Sequence, residues 1–174
     1  MLCPSCGQAN VPGADECVKC LFPLASIDSE LSGCDRVESS VLQDPVRALK
    51  FRQPVTIPIE GNRGLGLHLW VDHRVGALLV VDSKGCLVGI LTERDYLRKV
   101  VGIVSDYAHQ PLRDYMTGDP ETVESEDRLA LALQKMDVGG YRHLPVVEED
   151  GRPVGLISVR DVLRYITQLC ENGR

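Results

Sequence analysis

The segment VVDSKGCLVGILTERDYLR, Val80 to Arg98, aligns without a gap on VVEEDGRPVGLISVRDVLR, Val146 to Arg164. Asp95 falls on Asp161, an offset of 66 residues. The same offset sets Pro45 on Pro111, Arg47 on Arg113, Pro54 on Pro120, Thr56 on Thr122 and Leu78 on Leu144. A match sustained over that distance marks an internal repeat. Its two copies, 45–108 and 109–174, account for most of the 174-residue chain.

Each copy has a readable order of elements. Thr56-Ile57 and Thr122-Val123 follow a proline and predict short strands. A helix follows, clearest in the second copy, where Leu129, Leu131, Leu133 and Met136 mix with polar residues. Two apolar runs, Leu144 to Val147 and Val154 to Ile157, flank Glu148-Glu149-Asp150-Gly151, the pattern of a β-hairpin with Asp-Gly in its turn. In the first copy the turn is Asp82-Ser83-Lys84-Gly85. A second helix starts after Thr92 or Ser158. Each copy thus reads β-α-β-β-α, and one alone is short for an independent core. Pairing the two into a pseudo-symmetric α/β (α+β) unit resolves that. The stretch Asn62 to Trp70 pulls two ways: its two glycines and its alternation suggest a strand, whereas its alignment with the second copy predicts a helix. The alignment is followed.

The pattern Gly-apolar-apolar-Thr/Ser-x-x-Asp occurs as Gly89-Ile90-Leu91-Thr92-Glu93-Arg94-Asp95 and as Gly155-Leu156-Ile157-Ser158-Val159-Arg160-Asp161. With Tyr141-Arg142-His143-Leu144-Pro145-Val146-Val147 ahead of the second, the region from about Pro45 onward resembles a tandem pair of CBS domains, a Bateman module. The resemblance implies two clefts between the repeats, a non-catalytic sensing role, and an adenine nucleotide (AMP or ATP) or adenosyl ligand. It implies that the Asp accepts from the ribose hydroxyls, with the Thr/Ser hydroxyl close by. Backbone near the opposite repeat's first strand would contact adenine, while basic residues and helix N-termini meet phosphate. One cleft would combine Thr92, Arg94 and Asp95 with Thr122, Val123, Arg142 and His143. The other would combine Ser158, Arg160 and Asp161 with Thr56 and Ile57. Arg142-His143 aligns with Gly76-Ala77, so the cleft containing Asp95 is favoured. A homodimer is also implied by resemblance. A plainer role competes at the same positions, because Thr-x-x-Asp and Ser-x-x-Asp are close to a capping box at a helix N-terminus. One residue pair can serve both ends.

Cys3-Pro4-Ser5-Cys6 and Cys17-Val18-Lys19-Cys20 form CxxC…CxxC with ten residues between. Two such knuckles can place four thiolates tetrahedrally around Zn²⁺. Residues 1–24 therefore resemble a zinc ribbon whose structural metal supplies the folding energy, with iron as the competing ion. Gly7 permits the turn after one knuckle, whereas Leu21 stands at the matching place after the other. The stretch 25–44, with SIDSELSG and ESS, reads as a polar linker. From Met1 to Asp35 the only cation is Lys19, against Asp15, Glu16, Asp28, Glu30 and Asp35. That balance opposes nucleic-acid contact and points to a protein partner.

The whole chain carries a formal net charge of -6, which argues against nucleic-acid or anionic membrane surfaces. Apolar runs fall short of the ~18 residues of a membrane span, and the cysteine motif directly after Met1 predicts a cytoplasmic protein. His68, His73 and His109 lack a nucleophile or acid at catalytic spacing. Cys34, Cys86 and Cys170 read as small core or surface residues, and Trp70 and Tyr141 as packing residues, with Tyr141 also placed to line a cleft. No enzyme is expected. A ligand-sensing regulator that signals to a partner through the ribbon leads. A constitutive interaction scaffold with empty clefts is the alternative, and a zinc-ribbon transcription regulator a more distant one.

Overall fold

The computed structural model describes residues 1–3, 5–11, 13–24, 36–100 and 107–171, with the side chains of 36, 97–100 and 107 outside the description. Cys34 and the linker residues 25–35 lie outside it. Helix α1, Arg36–Gln43, occupies the remainder of the stretch read as linker. The first repeat then runs β1 (Thr56–Pro58), α2 (Arg63–His73), β2 (Ala77–Val81), β3 (Leu87–Thr92) and α3 (Glu93–Val100). After the two-residue β4, Thr117–Gly118, the second repeat runs β5 (Val123–Glu124), α4 (Leu129–Gly139), β6 (His143–Val147), β7 (Pro153–Ser158) and α5 (Val159–Glu171). The β-α-β-β-α order expected of each copy is present. The sheets have the orders β1-β2-β3-β4 and β5-β6-β7.

The helical reading of the ambiguous stretch holds, and its glycines have tertiary reasons. Asn62 caps α2, its Oδ1 accepting from Leu65 N at 2.9 Å. A Cβ on Gly66 would lie 3.1 Å from Tyr96 Oη, and one on Gly64 3.3 Å from the Ala108 carbonyl. Close approach of neighbouring elements overrides the helix cost of glycine at both positions. Trp70 packs edge-on to Tyr96, ring centroids 5.0 Å apart.

In β2 the four residues Ala77 to Val80 are all buried. Leu78 and Val80 join Ile57, Leu91 and Leu112 on one face. Ala77 and Leu79 join Ile90 on the other. A strand buried on both faces reads as a continuous apolar run instead of alternating. β2 pairs parallel with β1, Thr56 opposite Leu79, and antiparallel with β3, Ala77 opposite Thr92. That register sets Thr92 at the end of β3, where the chain turns into α3. Gly85 (φ 84°) and Gly151 (φ 81°) take left-handed conformations in the two hairpin turns.

The sequence repeats and the compact units are different partitions of the chain. One unit gathers Met1–Phe51, Val123–Leu144 and Ile157–Arg174; the other gathers Arg52–Thr122 and Pro145–Leu156. Opening segments of the repeats explain this. In the first unit, Val46 N and Arg47 N donate to the carbonyls of Asp127 (2.8 Å) and Ser125 (3.0 Å), and Leu129 N donates to Asp44 O at 2.8 Å. In the second unit, Arg63 N donates to Gln110 O at 3.1 Å and Leu112 N to Gly61 O at 3.1 Å. Isolated bridges join Pro45 to Arg128 and Asn62 to Pro111, which are equivalent pairs under the repeat offset. Each repeat's opening segment is thus bound at the helix start of the other repeat. In the first unit α1 also packs on α4 and α5.

Leu78 is fully buried at the centre of the first repeat's core. Leu78→Ala is expected to cost about 2–5 kcal/mol, read from the shift of the urea unfolding midpoint. A loss below about 1 kcal/mol would contradict a closed core around β2.

Candidate functional site

The two Asp positions carry the same local geometry. Asp95 Oδ2 accepts from Thr92 N at 2.9 Å and from Thr92 Oγ1 at 2.7 Å. Asp161 Oδ2 accepts from Ser158 N at 2.9 Å and from Ser158 Oγ at 2.6 Å. Each carboxylate thereby satisfies an N–H at the start of α3 or α5, half of a capping box, and brings negative charge to the positive helix end. Only one oxygen of each is used in this way. Asp161 Oδ1 meets Arg164 Nη1 at 3.2 Å. Arg98 stands at the matching place in the first repeat, its side chain outside the description. Asp95 and Asp161 are both half-buried, while Arg94 and Arg160 are exposed in the same helical turns.

The second repeat gathers further expected residues around its Asp. Val159 N donates to Arg142 O at 3.1 Å, which stitches the start of β6 to the first turn of α5. His143 lies within the electrostatic reach of Arg142, Arg160 and Asp161. The sequence grouped Arg142 and His143 with Asp95; within their own compact unit they stand beside Ser158 and Asp161. Of the first expected cleft, Thr92, Arg94, Asp95 and Thr122 belong to one unit, and Val123, Arg142 and His143 to the other. Of the second, Thr56 and Ile57 belong to one and Ser158, Arg160 and Asp161 to the other. Thr56 is exposed at the head of β1 and Ile57 is a core residue; Val123 is buried in β5. Tyr141 is 41% exposed and is therefore not a core residue.

At the N-terminus, the Sγ atoms of Cys3, Cys6, Cys17 and Cys20 all lie within 4.8 Å of one another. Cys3–Cys20 and Cys6–Cys17 are each separated by 3.6 Å. A tetrahedron with Zn–S bonds of about 2.3 Å has edges of about 3.8 Å, so the cluster fits a four-thiolate metal ion. Both knuckles close alike: Gly7 N donates to Cys3 O and Leu21 N to Cys17 O, each at 2.9 Å. Leu21 adopts φ 57° where Gly7 has 73°. The left-handed backbone is therefore imposed on a leucine, at a cost of about 1–2 kcal/mol.

The thiols are electrostatically divided. Burial raises Cys17, but N–H groups of Cys20, Lys19 and Asn10 outweigh it and bring it down to about 6. Burial, reinforced by the neighbouring thiols, pushes Cys20 up to about 12. Asn10 links the knuckles, its Oδ1 accepting from Val18 N at 3.0 Å and its Nδ2 lying 3.6 Å from Cys17 Sγ.

Three contributing residues went unread in the sequence. Arg164 was legible in principle, as a cation three residues after the Asp on a helix. Asn10 and Gln134 carried no such signal. Gln134, half-buried on α4, donates from Nε2 to the Cys20 carbonyl.

The family model described as CBS domain matches residues 46–102 and 112–168. A CBS domain-containing protein of Arabidopsis thaliana is 33% identical over 158 residues, 88% of this chain and 29% of its own length. The chain spans about half, or less, of the length of the curated relatives it matches. A CBS-domain-containing protein of Agrobacterium tumefaciens superposes with TM-score 0.63 at 31% identity, covering 69% of this chain and 97% of that one. A CBS domain protein of Pyrobaculum aerophilum, complexed with AMP, superposes with TM-score 0.63 at 26% identity, covering 71% and 98%.

Burial is the leading cause that lowers His143 from its ordinary value of 6.5; Arg142 and Arg160 lower it further and Asp161 opposes them. The imidazole is therefore neutral in the fold at pH 7. Because the folded value lies below the unfolded one, this contribution to stability is fully present above about 6.5 and is lost as pH falls through the folded value. His143→Gln is expected to flatten that part of the profile, measured as urea midpoints across about pH 7 to 5. An unchanged slope in the variant would assign the pH dependence to other groups.

Proposed function

Because the chain belongs to the CBS-domain family, we propose that it is a non-catalytic regulatory module that binds an adenine nucleotide or adenosyl ligand and signals to a protein partner. One observation carries the reading: the repeated half-buried carboxylate, whose Oδ2 caps a helix in both repeats and whose other oxygen takes no part in the cap. A ribose presents two adjacent hydroxyls, and a half-buried carboxylate is the acceptor suited to them. Thr92 with Asp95, and Ser158 with Asp161, are the ribose positions of this proposal. Arg94, Arg160, Arg142 and His143 serve the phosphates, with the N-termini of α3 and α5. Backbone at Thr56-Ile57 and Thr122-Val123 meets adenine. Solved CBS-domain structures complexed with AMP, one at 26% identity over 71% of this chain, support the choice of ligand class.

The ribbon is proposed to hold one structural Zn²⁺ through Cys3, Cys6, Cys17 and Cys20. The ion would supply the folding energy of a segment too small to fold on apolar burial. A four-thiolate site suits a reducing compartment, in keeping with a cytoplasmic protein. None of the helices in the described residues is long and apolar enough to cross a membrane. The ribbon is also the surface proposed to meet the partner, with the module assembling as a homodimer.

Thermal unfolding with AMP, ATP or S-adenosylmethionine tests the ligand. AMP at about a hundred times its dissociation constant stabilises the native state by roughly 2.7 kcal/mol. Asp95→Asn is the informative variant, because the amide oxygen still accepts the capping bonds while the charge and second acceptor are lost. It is expected to keep its unliganded melting temperature within a few degrees and lose at least tenfold in AMP affinity. Full AMP affinity in both Asp95→Asn and Asp161→Asn would sink the ribose assignment. No shift with any adenosyl compound would favour the constitutive scaffold.

Native mass spectrometry tests the metal. One zinc per chain is expected, lost in Cys17→Ser, with the ribbon unfolding on chelation. Iron with its thiolate absorption, or retention of full metal in Cys17→Ser, would overturn the zinc assignment.

A further inference from the structure

The ribbon is not an isolated appendage. Its last cysteine touches the helix that leads into Arg142 and His143. Gln134 Nε2 donates to the Cys20 carbonyl, a contact across 114 residues of sequence within one compact unit. Gln134 Oε1 is buried and accepts no hydrogen bond among the described residues. Among the described residues the amide is therefore engaged by the ribbon on its donor side and by no donor on the other. Its helix, α4, is held along its inner face by the buried Leu129, Ala130, Ala132 and Met136. At the N-terminal end Leu129 N is fastened to Asp44 O.

At the other end α4 leads without slack into the residues beside Asp161. Gly140, at φ 63°, closes the helix, and Tyr141 N donates to Met136 O at 3.0 Å. Arg142 O then takes the bond from Val159 N at the head of α5. From Gln134 to Gly139 the helix rises only about 8 Å, so a shift at the Cys20 contact is transmitted by a rigid element a turn and a half long.

We infer that metal loading of the four-cysteine ribbon and ligand binding beside Ser158–Asp161 are thermodynamically coupled through Gln134 and α4. This deepens the nucleotide reading of the previous section and rests on it for the identity of the ligand. The physical reason is that a thiolate ribbon of this size folds only around its ion. Without the ion, Cys20 does not hold its carbonyl on α4, and the half-buried Gln134 amide loses that acceptor. Loading the ribbon restores that acceptor and selects one register of the α4 C-terminus, with Arg142 and His143 positioned beside α5. Linkage makes the effect reciprocal: the factor by which zinc tightens the nucleotide is the factor by which the nucleotide tightens zinc.

The test uses the full chain in reductant, either stripped by chelator or loaded with one equivalent of Zn²⁺. AMP affinity is measured by calorimetry, and amide hydrogen exchange is followed in peptides covering 136–143. Zinc is expected to tighten AMP at least fivefold and to slow exchange at the α4 C-terminus. Gln134→Leu, and independently Gln134→Glu, are expected to bind zinc at unchanged stoichiometry and lose both effects. Full zinc dependence in either folded variant would overturn the role of Gln134, and equal AMP affinity with and without zinc would overturn the coupling. If no adenosyl ligand binds either form, the functional reading fails, and the exchange measurement alone decides. Zinc-induced protection lost in the Gln134 variants sustains the mechanical link, and its absence in the parent chain ends it.

Discussion

The reciprocal attachment of each repeat's opening segment to the other repeat's helix is the constraint on which the rest of this structure depends. Pro45 bridges to Arg128, and Pro111 bridges to Asn62, its counterpart under the repeat offset. Both attachments are made by backbone hydrogen bonds, which satisfy donors and acceptors at helix starts that would otherwise be left bare. Neither compact unit can therefore be cut out of the chain as one sequence repeat. A single copy offers too little apolar burial to offset its conformational entropy. The exchange makes the folding of each copy conditional on the other.

The proposed function would give a short motif two duties. Asp95 and Asp161 each use one oxygen to cap the helix that follows, through bonds of 2.9 Å to the backbone of Thr92 and Ser158. The cap uses one oxygen of the carboxylate, so under the proposed function a ribose would take the other oxygen and share the capping one. The cap also holds the carboxylate in place, which would lower the ordering cost of the proposed binding. In the second repeat Arg164 occupies Asp161 Oδ1. The proposed ligand would have to share that oxygen with the guanidinium or displace it.

The ribbon follows a different economy. Its core consists of Cys3, Cys17 and Leu24, too little apolar area to fold by itself. Its backbone is arranged for the thiols, to the point of placing Leu21 in a left-handed conformation. The segment is folded into the same compact unit as α4 and α5. That placement makes the four-cysteine cluster a neighbour of the second repeat's helix, and it sets the conditions for the coupling inferred above.

Much of this was legible in the residues alone. A repeat of 66 residues is visible because equivalent positions face equivalent surroundings, so that Gly89 and Gly155, Asp95 and Asp161 recur in step. The hairpins announced themselves through their turn glycines, and the four-cysteine cluster through its spacing, since both are set by chain geometry over a few residues. The helix over Arg63–His73 was legible only through the repeat, because Gly64 and Gly66 answer to Ala108 and Tyr96, which local pattern does not see. Tertiary structure decided the rest: the helix at Arg36–Gln43, the exchange of opening segments, the pairing of Arg142 and His143 with Ser158–Asp161, and the Gln134–Cys20 contact. These are meetings between residues up to 114 positions apart. Single hydrogen bonds at such separations leave no periodicity or spacing in the chain. Local patterns specify the elements, and only the packed structure specifies which of them share an amide.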